Sequence, residues 1–493
     1  MPPRTGGTRV VLDGTTLGIG ALVALADGAA EPEVAPEARE RAQRSWRTAQ
    51  RLAAAGRLYG RGTGVGAHRS VAVDTQDEAG HGLRILRSHA GGAGALLPAR
   101  QARAMLAVRA NQLLAGGSGV RPAFVDALAD ALRLGVHPAV NEYGAVGTGD
   151  LTALAQTGLT LIGERPWLGD PASGLPAPVA LEPGDALALL SSNALALGQA
   201  ALAGHALDTL LRASHAVTAL SLTAVSGSLE AYAAPVHALR PYPGAARAAA
   251  EVRRLLGASD PGPLAGPVPE PGRRLQDPYG FRAFPQVHGC ALDAAEGLRR
   301  IVEVEINCPS ENPLMAPDGS AAFHHGGFFA APLGLALDGL DLAVLQSAQL
   351  SAARLTALGR SDLTGLPAFL AVGPASSSGA MILEYTAASA LAELRSCAQP
   401  ASAGHTVLSH GLEEAASFAS QAARQALRAV DAYGTVLACE LVTAVRALRM
   451  VPTPPRTPSF TTAAAALPAG TEDRPLTADV QTAAELLPVL AQL

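Results

Sequence analysis

The chain has 493 residues and a net charge of −5, and its 37 Lys+Arg side chains are all arginine. The absence of lysine excludes a pyridoxal phosphate Schiff base, a lysine nucleophile and a P-loop, because each of them requires that amine. The slight acidity argues against nucleic-acid binding, which depends on a basic surface. With 48% hydrophobic but only 4% aromatic residues, the core is expected to consist of closely packed helices rich in Ala and Leu.

The predicted elements are nearly all helical. Apolar residues recur with helical spacing over long stretches, and short turns rich in glycine separate several of them. In chain order, we predict helices over residues 35–58, 99–114, 121–134, 151–162, 185–229 (with a break near Gly227 as one option), 331–358 and 413–448. This number of long Ala/Leu helices is typical of a bundle whose central members are buried on all sides.

The loops between these helices do not divide the chain by composition. Residues 60–66 and 143–150 are glycine-rich, 260–272 are rich in Pro and Gly, and 452–458 form a proline-rich connector. We therefore predict an all-α fold with one domain over residues 1–493. It would comprise a loop-rich catalytic part over about 1–180, a bundle of long helices over about 181–450 and a C-terminal tail over about 451–493.

The apolar run over residues 187–229 is long enough to span a membrane. Polar residues interrupt it at turn-by-turn spacing, however, so we predict a buried helix and no membrane partner. Four widely spaced cysteines without a CxxC pair suit a reducing compartment, and we expect a cytoplasmic protein. No HExxH motif occurs, and the histidine pairs have the wrong spacing, so no metal site is expected.

A polar segment at residues 276–282 could carry chemistry. Tyr279 and Arg282 lie three residues apart on a turn that begins with proline, so their side chains can point the same way. Arginine can hold a carboxylate with two hydrogen bonds, and tyrosine can donate or accept a proton. The alternative is an Arg–Asp surface pair at the start of a helix.

Several segments, in a fixed order, resemble the histidine ammonia-lyase and aromatic amino acid lyase superfamily. They include Leu58-Tyr59-Gly60 through Gly66, Ser88-His89-Ala90-Gly91, Gln276 to Arg282, Glu311-Asn312-Pro313-Leu314 and Leu366-Pro367-Ala368-Phe369. The order and spacing hold from about residue 10 to the C-terminus. The resemblance implies a mostly α-helical fold, a small-molecule substrate and a homotetramer whose shared active sites combine residues from three subunits.

The resemblance also implies a prosthetic group. The family builds a methylidene-imidazolone ring from an Ala-Ser-Gly triad within a run like G-S-V-G-A-S-G-D-L. The matching run, Gly144-Ala145-Val146-Gly147-Thr148-Gly149-Asp150-Leu151, is one residue short in its middle. One interpretation is an atypical ring from Gly147, Thr148 and Gly149, in which dehydrated threonine leaves an ethylidene group. The other is that no ring forms. The sequence favours the second, so we expect no cofactor.

Further site residues follow from matching positions in the family. The resemblance implies that Tyr59 is the catalytic base, that Tyr279 is a second catalytic tyrosine and that Arg282 clamps the substrate carboxylate. Two departures occur: the family's ring-holding Asn is matched by Ser191, with Asn193 two residues on, and its Asn-Phe-His run reads Gly327-Phe328-Phe329. The substrate-binding set implied by the resemblance is His89, Ser191, Asn193, Gln276, Arg282, Phe328 and Glu413.

Three hypotheses for the function follow. The chain could be an ammonia-lyase with an atypical electrophile that acts on a histidine-like or aromatic amino acid. It could be a repurposed lyase without the ring, using Tyr59 or Tyr279 for elimination, addition or cyclisation in specialised metabolism. It could also be a non-catalytic binder of an amino-acid ligand. The intact tyrosines favour an enzyme, and the shortened triad favours the repurposed form.

Overall fold

The fold is helical, as predicted. A computed structural model describes residues 8–56, 58–74, 76–170, 172, 174–259 and 274–493, and about 60% of the chain is helical. The predicted loop over residues 260–272 lies outside this described part. The described residues form two compact units, and each draws on three separate stretches of the chain.

The first unit comprises the described residues of Met1–His205, Leu298–Leu337 and Pro400–Arg424. Its helices are α1 (Ile19–Asp27), α2 (Pro36–Ala55), α3 (Glu78–His89), α4 (Ala99–Leu114), α5 (Pro122–Leu134), α6 (Leu151–Leu161) and α7 (Asp185–Leu190). Its strands are β1 (Thr8–Leu12), β2 (Ala30–Val34), β3 (Ala93–Leu96), β4 (His137–Pro138), β5 (Asn141–Tyr143), β6 (Trp167–Leu168), β7 (Leu314–Met315) and β8 (Ala322–Phe323). The β1–β2 pair is parallel, and the pairs β3–β5, β4–β6 and β7–β8 are antiparallel.

The second unit comprises the described residues of Ala206–Gly297, Asp338–Gln399 and Gln425–Leu493. Its helices are α9 (Ala234–Ala238), α10 (Pro243–Leu255), α11 (Tyr279–Arg282), α14 (Ser361–Thr364), α15 (Ile382–Cys397), α17 (Pro458–Ala466) and α18 (Thr477–Leu490). Four longer helices contribute residues to both units: α8 (Ala194–Ala224), α12 (Phe284–Glu305), α13 (Ala331–Leu358) and α16 (Ala419–Met450).

The predicted helix over residues 185–229 stops at Ala224, close to the break considered near Gly227, and it is also interrupted earlier. Helix α7 ends at Leu190 and α8 begins at Ala194, so residues 191–193 form a break. At this break the guanidinium of Arg109, a buried residue of α4, donates hydrogen bonds to the carbonyls of Ala188 and Leu189. Those carbonyls lack intrahelical partners at a helix C-terminus, and the arginine satisfies them. Burial lowers the pKa of Arg109 to about 10, which leaves it charged at neutral pH.

The helix predicted over residues 413–448 also begins later than expected. Helix α16 starts at Ala419, and Glu413 lies in the preceding loop. Ser409, His410 and Phe418 adopt φ values of 54°, 55° and 51°. These left-handed conformations are unfavourable for residues that carry a Cβ and end any regular helix. The loop therefore presents Glu413 from a bent backbone.

In the described part of the chain, the stretch Asp185–Ala224 is long and apolar enough to cross a membrane. Within its most apolar 18-residue segment, 89% is buried inside the protein. Such burial is characteristic of a core helix, in which neighbouring helices cover the apolar side chains instead of lipid.

A buried ion pair lies at the centre of the second unit. Both side chains of Arg354 and Glu440 are fully buried, with the Nε of Arg354 2.6 Å from Oε1 of Glu440. The hydroxyls of Ser221 and Ser351 also donate to this carboxylate, at 2.6 Å and 2.5 Å. A further Arg354 nitrogen donates to the carbonyl of Gly280 at 3.0 Å. The ion pair thereby fixes α11, the short helix that carries Tyr279 and Arg282.

Replacing Glu440 with Gln should destabilise the protein strongly. The substitution leaves the Arg354 guanidinium buried without a counter-charge, which typically costs about 3–5 kcal/mol. Glu303→Gln is the matched control, because Glu303 pairs with Arg299 at a partly exposed site and such pairs contribute about 0–1 kcal/mol. Chemical denaturation followed by circular dichroism measures both. Equal effects of the two substitutions would contradict this assignment.

Candidate functional site

The loop from Gly144 to Asp150 is held along its whole length by hydrogen bonds. The carbonyls of residues 144–147 accept, in order, from Thr152 Oγ1 at 2.9 Å, Gln421 Nε2 at 2.9 Å, the Phe418 N–H at 2.8 Å and Ser417 Oγ at 2.8 Å. The Gly149 N–H donates to Asn193 Oδ1 at 3.0 Å, and the Asp150 N–H donates to the Ser192 carbonyl at 2.7 Å. The loop that resembles the ring-forming run is therefore rigidly positioned.

Gly147 can only be glycine in this arrangement. Its φ of +85° lies in the left-handed region, and a Cβ there would lie 2.1 Å from Ser417 Oγ and 2.8 Å from the Ala419 nitrogen. Both the conformation and the close approach of the α16 N-terminus exclude a side chain. Residue 147 is thereby restricted to glycine.

Asn193 connects this loop to Phe328. Its side-chain oxygen accepts from Gly149, and its side-chain nitrogen donates to the Phe328 carbonyl. A residue that precedes a helix commonly caps it, but Asp150 provides the cap of α8 here, because its carboxylate accepts from the Ala196 N–H at 2.9 Å. Asn193 is thereby free to hold the loop, from a position two residues beyond the family's.

Burial raises the pKa of Asp150 to about 6, although hydrogen bonds from Ala196, Ser420 and Leu195 partly oppose that effect. The side chain is fully buried. Asp150 therefore takes up a proton in the folded chain at a higher pH than an ordinary aspartate does. Sequence reasoning did not assign it a role.

A cavity of about 1160 Å³ opens beside the loop, and its lining comes from the first unit. Gly147 and Asn193 lie behind the wall and hold it. The predicted site residues that line this cavity are Tyr59, His89, Thr148, Gly149, Ser191, Phe328 and Glu413. The structure thus brings most of the predicted site together.

Tyr59 is half-buried on the glycine-rich loop, and its hydroxyl oxygen accepts from the Gly66 N–H at 2.8 Å. Burial raises the pKa of Tyr59; the Gly66 hydrogen bond lowers it, the charge of Glu413 raises it and that of Arg69 lowers it. With its pKa above the ordinary value, the phenol is protonated at neutral pH. To act as a base, Tyr59 would need a cation close to its oxygen.

His89 ends α3, and its ring is held by its own helix. Its Nδ1 lies 2.9 Å from the Ile85 carbonyl and 3.1 Å from Ser88 Oγ. A carbonyl only accepts, so Nδ1 carries the proton and Nε2 of the neutral ring carries the lone pair. The ring can therefore accept a hydrogen bond from an N–H or O–H group of a ligand.

Thr148 and Glu413 meet inside the cavity, where the threonine hydroxyl donates to Glu413 Oε2 at 3.0 Å. The only oxygen that could leave from Thr148 as water is therefore already hydrogen-bonded to an acidic group.

Gln276, Tyr279 and Arg282 lie in the second unit, and none of them lines this cavity in the described chain. Tyr279 is 68% exposed. The guanidinium carbon of Arg282 lies 4.3 Å from the centre of the Tyr279 ring, and its buried Nε has no hydrogen-bond partner among the described residues. The alternative of an Arg–Asp surface pair is wrong for Arg282, because Asp277 pairs with Arg274 at 3.1 Å. The described residues contain no cluster that could hold a metal ion.

Known proteins resemble this chain over nearly its whole length. The family profile of aromatic amino acid lyases matches residues 17–468. A histidine ammonia-lyase of Anaeromyxobacter sp. (strain K) is 36% identical and covers 89% of this chain and 90% of its own. The ergothioneine-degrading ergothionase of Treponema denticola superposes with a TM-score of 0.88 at 25% identity, covering 98% and 99%. Tyrosine aminomutase from Streptomyces globisporus gives 0.90 at 28%, covering 98% and 97%.

The chain therefore belongs to the aromatic amino acid lyase family, as the sequence resemblance implied. It is a carbon–nitrogen lyase, so the hypothesis of a non-catalytic binder is set aside. The prediction that the prosthetic ring is absent is wrong by the same comparison. Histidine ammonia-lyases use a methylidene-imidazolone group formed from an Ala-Ser-Gly triad, and this chain matches them over nine-tenths of their length.

Gly147→Ala should damage the loop, because it adds a Cβ to a glycine with a positive φ. The left-handed conformation alone costs a Cβ-bearing residue roughly 1–2 kcal/mol, and the clash with Ser417 adds to that cost. Gly135→Ala is the control, because Gly135 has a similar φ of +72° but open space around its Cβ position. Thermal unfolding should show a clearly larger loss for Gly147→Ala. If the two losses are equal, the close contact with Ser417 is not real.

Asp150→Asn should remove a pH-dependent contribution to stability. Because the folded pKa of about 6 exceeds the ordinary value of 3.8, the contribution is fully present below 3.8 and is lost as the pH rises through 6. The stability difference between the native chain and Asp150→Asn should therefore fall by about 1 kcal/mol between pH 5 and pH 8. Asp318→Asn should give a flat difference, since the pKa of Asp318 is lowered. A native-minus-variant difference that rises with pH would contradict the assignment.

Proposed function

We propose that this lyase eliminates the amino group of a histidine-like, imidazole-bearing amino acid, with an electrophilic ring formed from Gly147, Thr148 and Gly149. One observation carries the proposal: Thr148, hydrogen-bonded to Glu413, lines the same cavity in the first unit as Tyr59 and His89. The comparison with histidine ammonia-lyases over nine-tenths of the chain supports it.

The residues around Thr148 fit a ring at this position. The Gly147 carbonyl accepts from two donors, Ser417 Oγ and the Ala330 N–H, and the Gly149 nitrogen is held by Asn193. No side chain on either glycine obstructs closure. When present, the ring supplies the electrophile that makes removal of a β-proton and loss of an amine feasible. A ring derived from threonine carries an extra methyl group, so we expect it to be less reactive than one derived from serine.

The chain's own side chains support proton transfer at the substrate. The Tyr59 hydroxyl accepts a hydrogen bond from Gly66, which favours its ionised form. Loss of the Tyr59 proton requires a nearby cation, for which an arginine is suited. Once deprotonated, Tyr59 can take the substrate's β-proton, and we assign it that role.

The proposed substrate ring follows from the groups that face the cavity. The lone pair on His89 Nε2 and the carboxylate of Glu413 both accept hydrogen bonds. An imidazole ring offers N–H groups to such acceptors, whereas a phenyl ring offers none. The names of two relatives also support an imidazole-bearing substrate, because histidine and ergothioneine both contain an imidazole ring.

We further propose that the chain works as a homotetramer with shared active sites. Exposed Tyr279, exposed Gln276 and the unpartnered Nε of Arg282 are suited to a ligand or a neighbouring copy. An arginine contributed by another copy would clamp the substrate carboxylate and stabilise ionised Tyr59. The four cysteines are free, which accords with the cytoplasmic location proposed for the protein.

Mass spectrometry and amine release test the proposal together. The native chain should have lost two waters, mapped to the peptide that holds Thr148, and should release ammonia from histidine with turnover in the common range of roughly 1–10³ s⁻¹. Thr148→Val keeps the side-chain shape but cannot dehydrate, so it should retain the full mass and lose activity. Thr148→Ser should mature and be at least as active.

A full, unmodified mass for the native chain would overturn the ring. The tyrosine-driven elimination, addition or cyclisation considered from the sequence would then remain. Release of an amine from tyrosine but not from histidine or ergothioneine would overturn the substrate assignment while leaving the ring intact.

A further inference from the structure

The carbonyl of Gly147 has an unusual environment for a loop. Its oxygen accepts from Ser417 Oγ at 2.8 Å and from the Ala330 N–H at 3.3 Å, so two donors from distant segments converge on one atom. Ser417 is 4% exposed. In such a buried setting, oriented donors stabilise developing negative charge far more than they do in water.

The direction of the Ser417 hydroxyl is also fixed. The Ala419 N–H donates to Ser417 Oγ at 3.3 Å, which occupies a lone pair and leaves the hydroxyl hydrogen for the Gly147 oxygen. Ala419 is the first residue of α16, a helix of 32 residues. The partial positive charge at the N-terminus of this helix therefore lies close to the Ser417 hydroxyl.

We propose that Ser417 and the Ala330 amide form an oxyanion hole for closure of the backbone ring, and that Ser417 is its principal donor. The inference rests on the proposed function, because it concerns how the proposed ring is made. Ser417 would act on the protein's own maturation. It is not assigned a role in substrate turnover.

The closure can be written with all atoms accounted for. The Gly149 nitrogen bonds to the Gly147 carbonyl carbon, and the carbonyl electron pair moves onto the oxygen that Ser417 and Ala330 hold. That oxygen leaves as water with the protons of the Gly149 and Thr148 amides, which creates a carbon–nitrogen double bond. A second water takes the Thr148 hydroxyl and its α-hydrogen, which creates the carbon–carbon double bond. No external oxidant or reductant is needed.

Asn193 prepares the nucleophile on the other side of the same bond. Its side-chain oxygen accepts the Gly149 N–H at 3.0 Å, which increases the electron density on that nitrogen. Asn193 thus makes the Gly149 nitrogen more electron-rich, and Ser417 and the Ala330 amide make the Gly147 carbonyl carbon more electron-poor. Both effects favour bond formation between the two atoms.

The test follows the mass of newly made chains over time. Native protein, Ser417→Ala and Ser417→Thr are produced by cell-free translation, quenched at intervals and analysed for loss of two waters in the peptide that holds Thr148. Loss of one oxyanion donor typically costs about 10²–10³-fold in rate, so Ser417→Ala should dehydrate about that much more slowly. Ser417→Thr retains the hydroxyl and should dehydrate at a rate close to native.

Thr152→Val is the matched control. It removes another hydroxyl that donates to a loop carbonyl, that of Gly144, but this carbonyl takes no part in closure. Thr152→Val should therefore mature normally. If Ser417 only holds the loop, both variants should slow maturation to a similar extent, and the proposal fails. Circular dichroism and thermal unfolding establish that each variant is folded. If Ser417→Ala does not fold, Ser417→Cys replaces it, because a thiol fills the site but donates weakly.

The outcomes separate this inference from the proposed function. A native chain that keeps its full mass overturns the ring itself. A native chain that dehydrates, together with Ser417→Ala that dehydrates at the same rate, overturns the role of Ser417 and leaves the ring intact. Slow dehydration only in Ser417→Ala or Ser417→Cys supports the oxyanion hole.

Discussion

The site depends on the hydrogen-bonded confinement of one glycine-rich loop. Between Gly144 and Asp150, successive backbone groups are bonded to residues far away in sequence, including Asn193 and Ser417. Glycine has the largest conformational freedom in the unfolded chain, so a loop containing three glycines is costly to order. Hydrogen bonds from the surrounding helices and side chains offset that loss of entropy. The glycine-rich loop can therefore form a fixed wall of the cavity.

Much of the helical fold could be predicted because periodic apolar residues act locally. The bounds of α4 and α13 agree with the predicted ranges at both ends. The break between α7 and α8 was missed, although residues 191–193 are the polar sequence Ser-Ser-Asn. The arginine that satisfies the carbonyls at the end of α7, Arg109, lies on another helix, so this contact has no local signal in the sequence. The late start of α16 was missed because the backbone before it is bent at Ser409, His410 and Phe418, and the spacing of apolar residues does not signal such a bend.

Some residues of the candidate site could be predicted from the sequence, and others could not. The resemblance of several segments to the lyase family identified four residues that line one cavity in the structure: Tyr59, His89, Phe328 and Glu413. Their roles remain predictions. Asp150 and Ser417 were not assigned roles, although Asp150 is the last residue of the loop. A buried aspartate or a serine hydroxyl has no local signature, and its importance appears only when its hydrogen-bond partners are known. The shortened triad was overinterpreted, since a missing residue says little about the backbone groups that remain.

The close approach of Ser417 to Gly147 limits which substitutions the loop can accept during evolution. The serine oxygen occupies space that a Cβ on residue 147 would need. The two positions are therefore expected to be epistatic: alanine at 147 is tolerated only after the segment before α16 has moved. A single-step path between this loop and an alanine-bearing one therefore passes through a destabilised chain. Transplanting a relative's triad would consequently require exchanging the start of α16 at the same time.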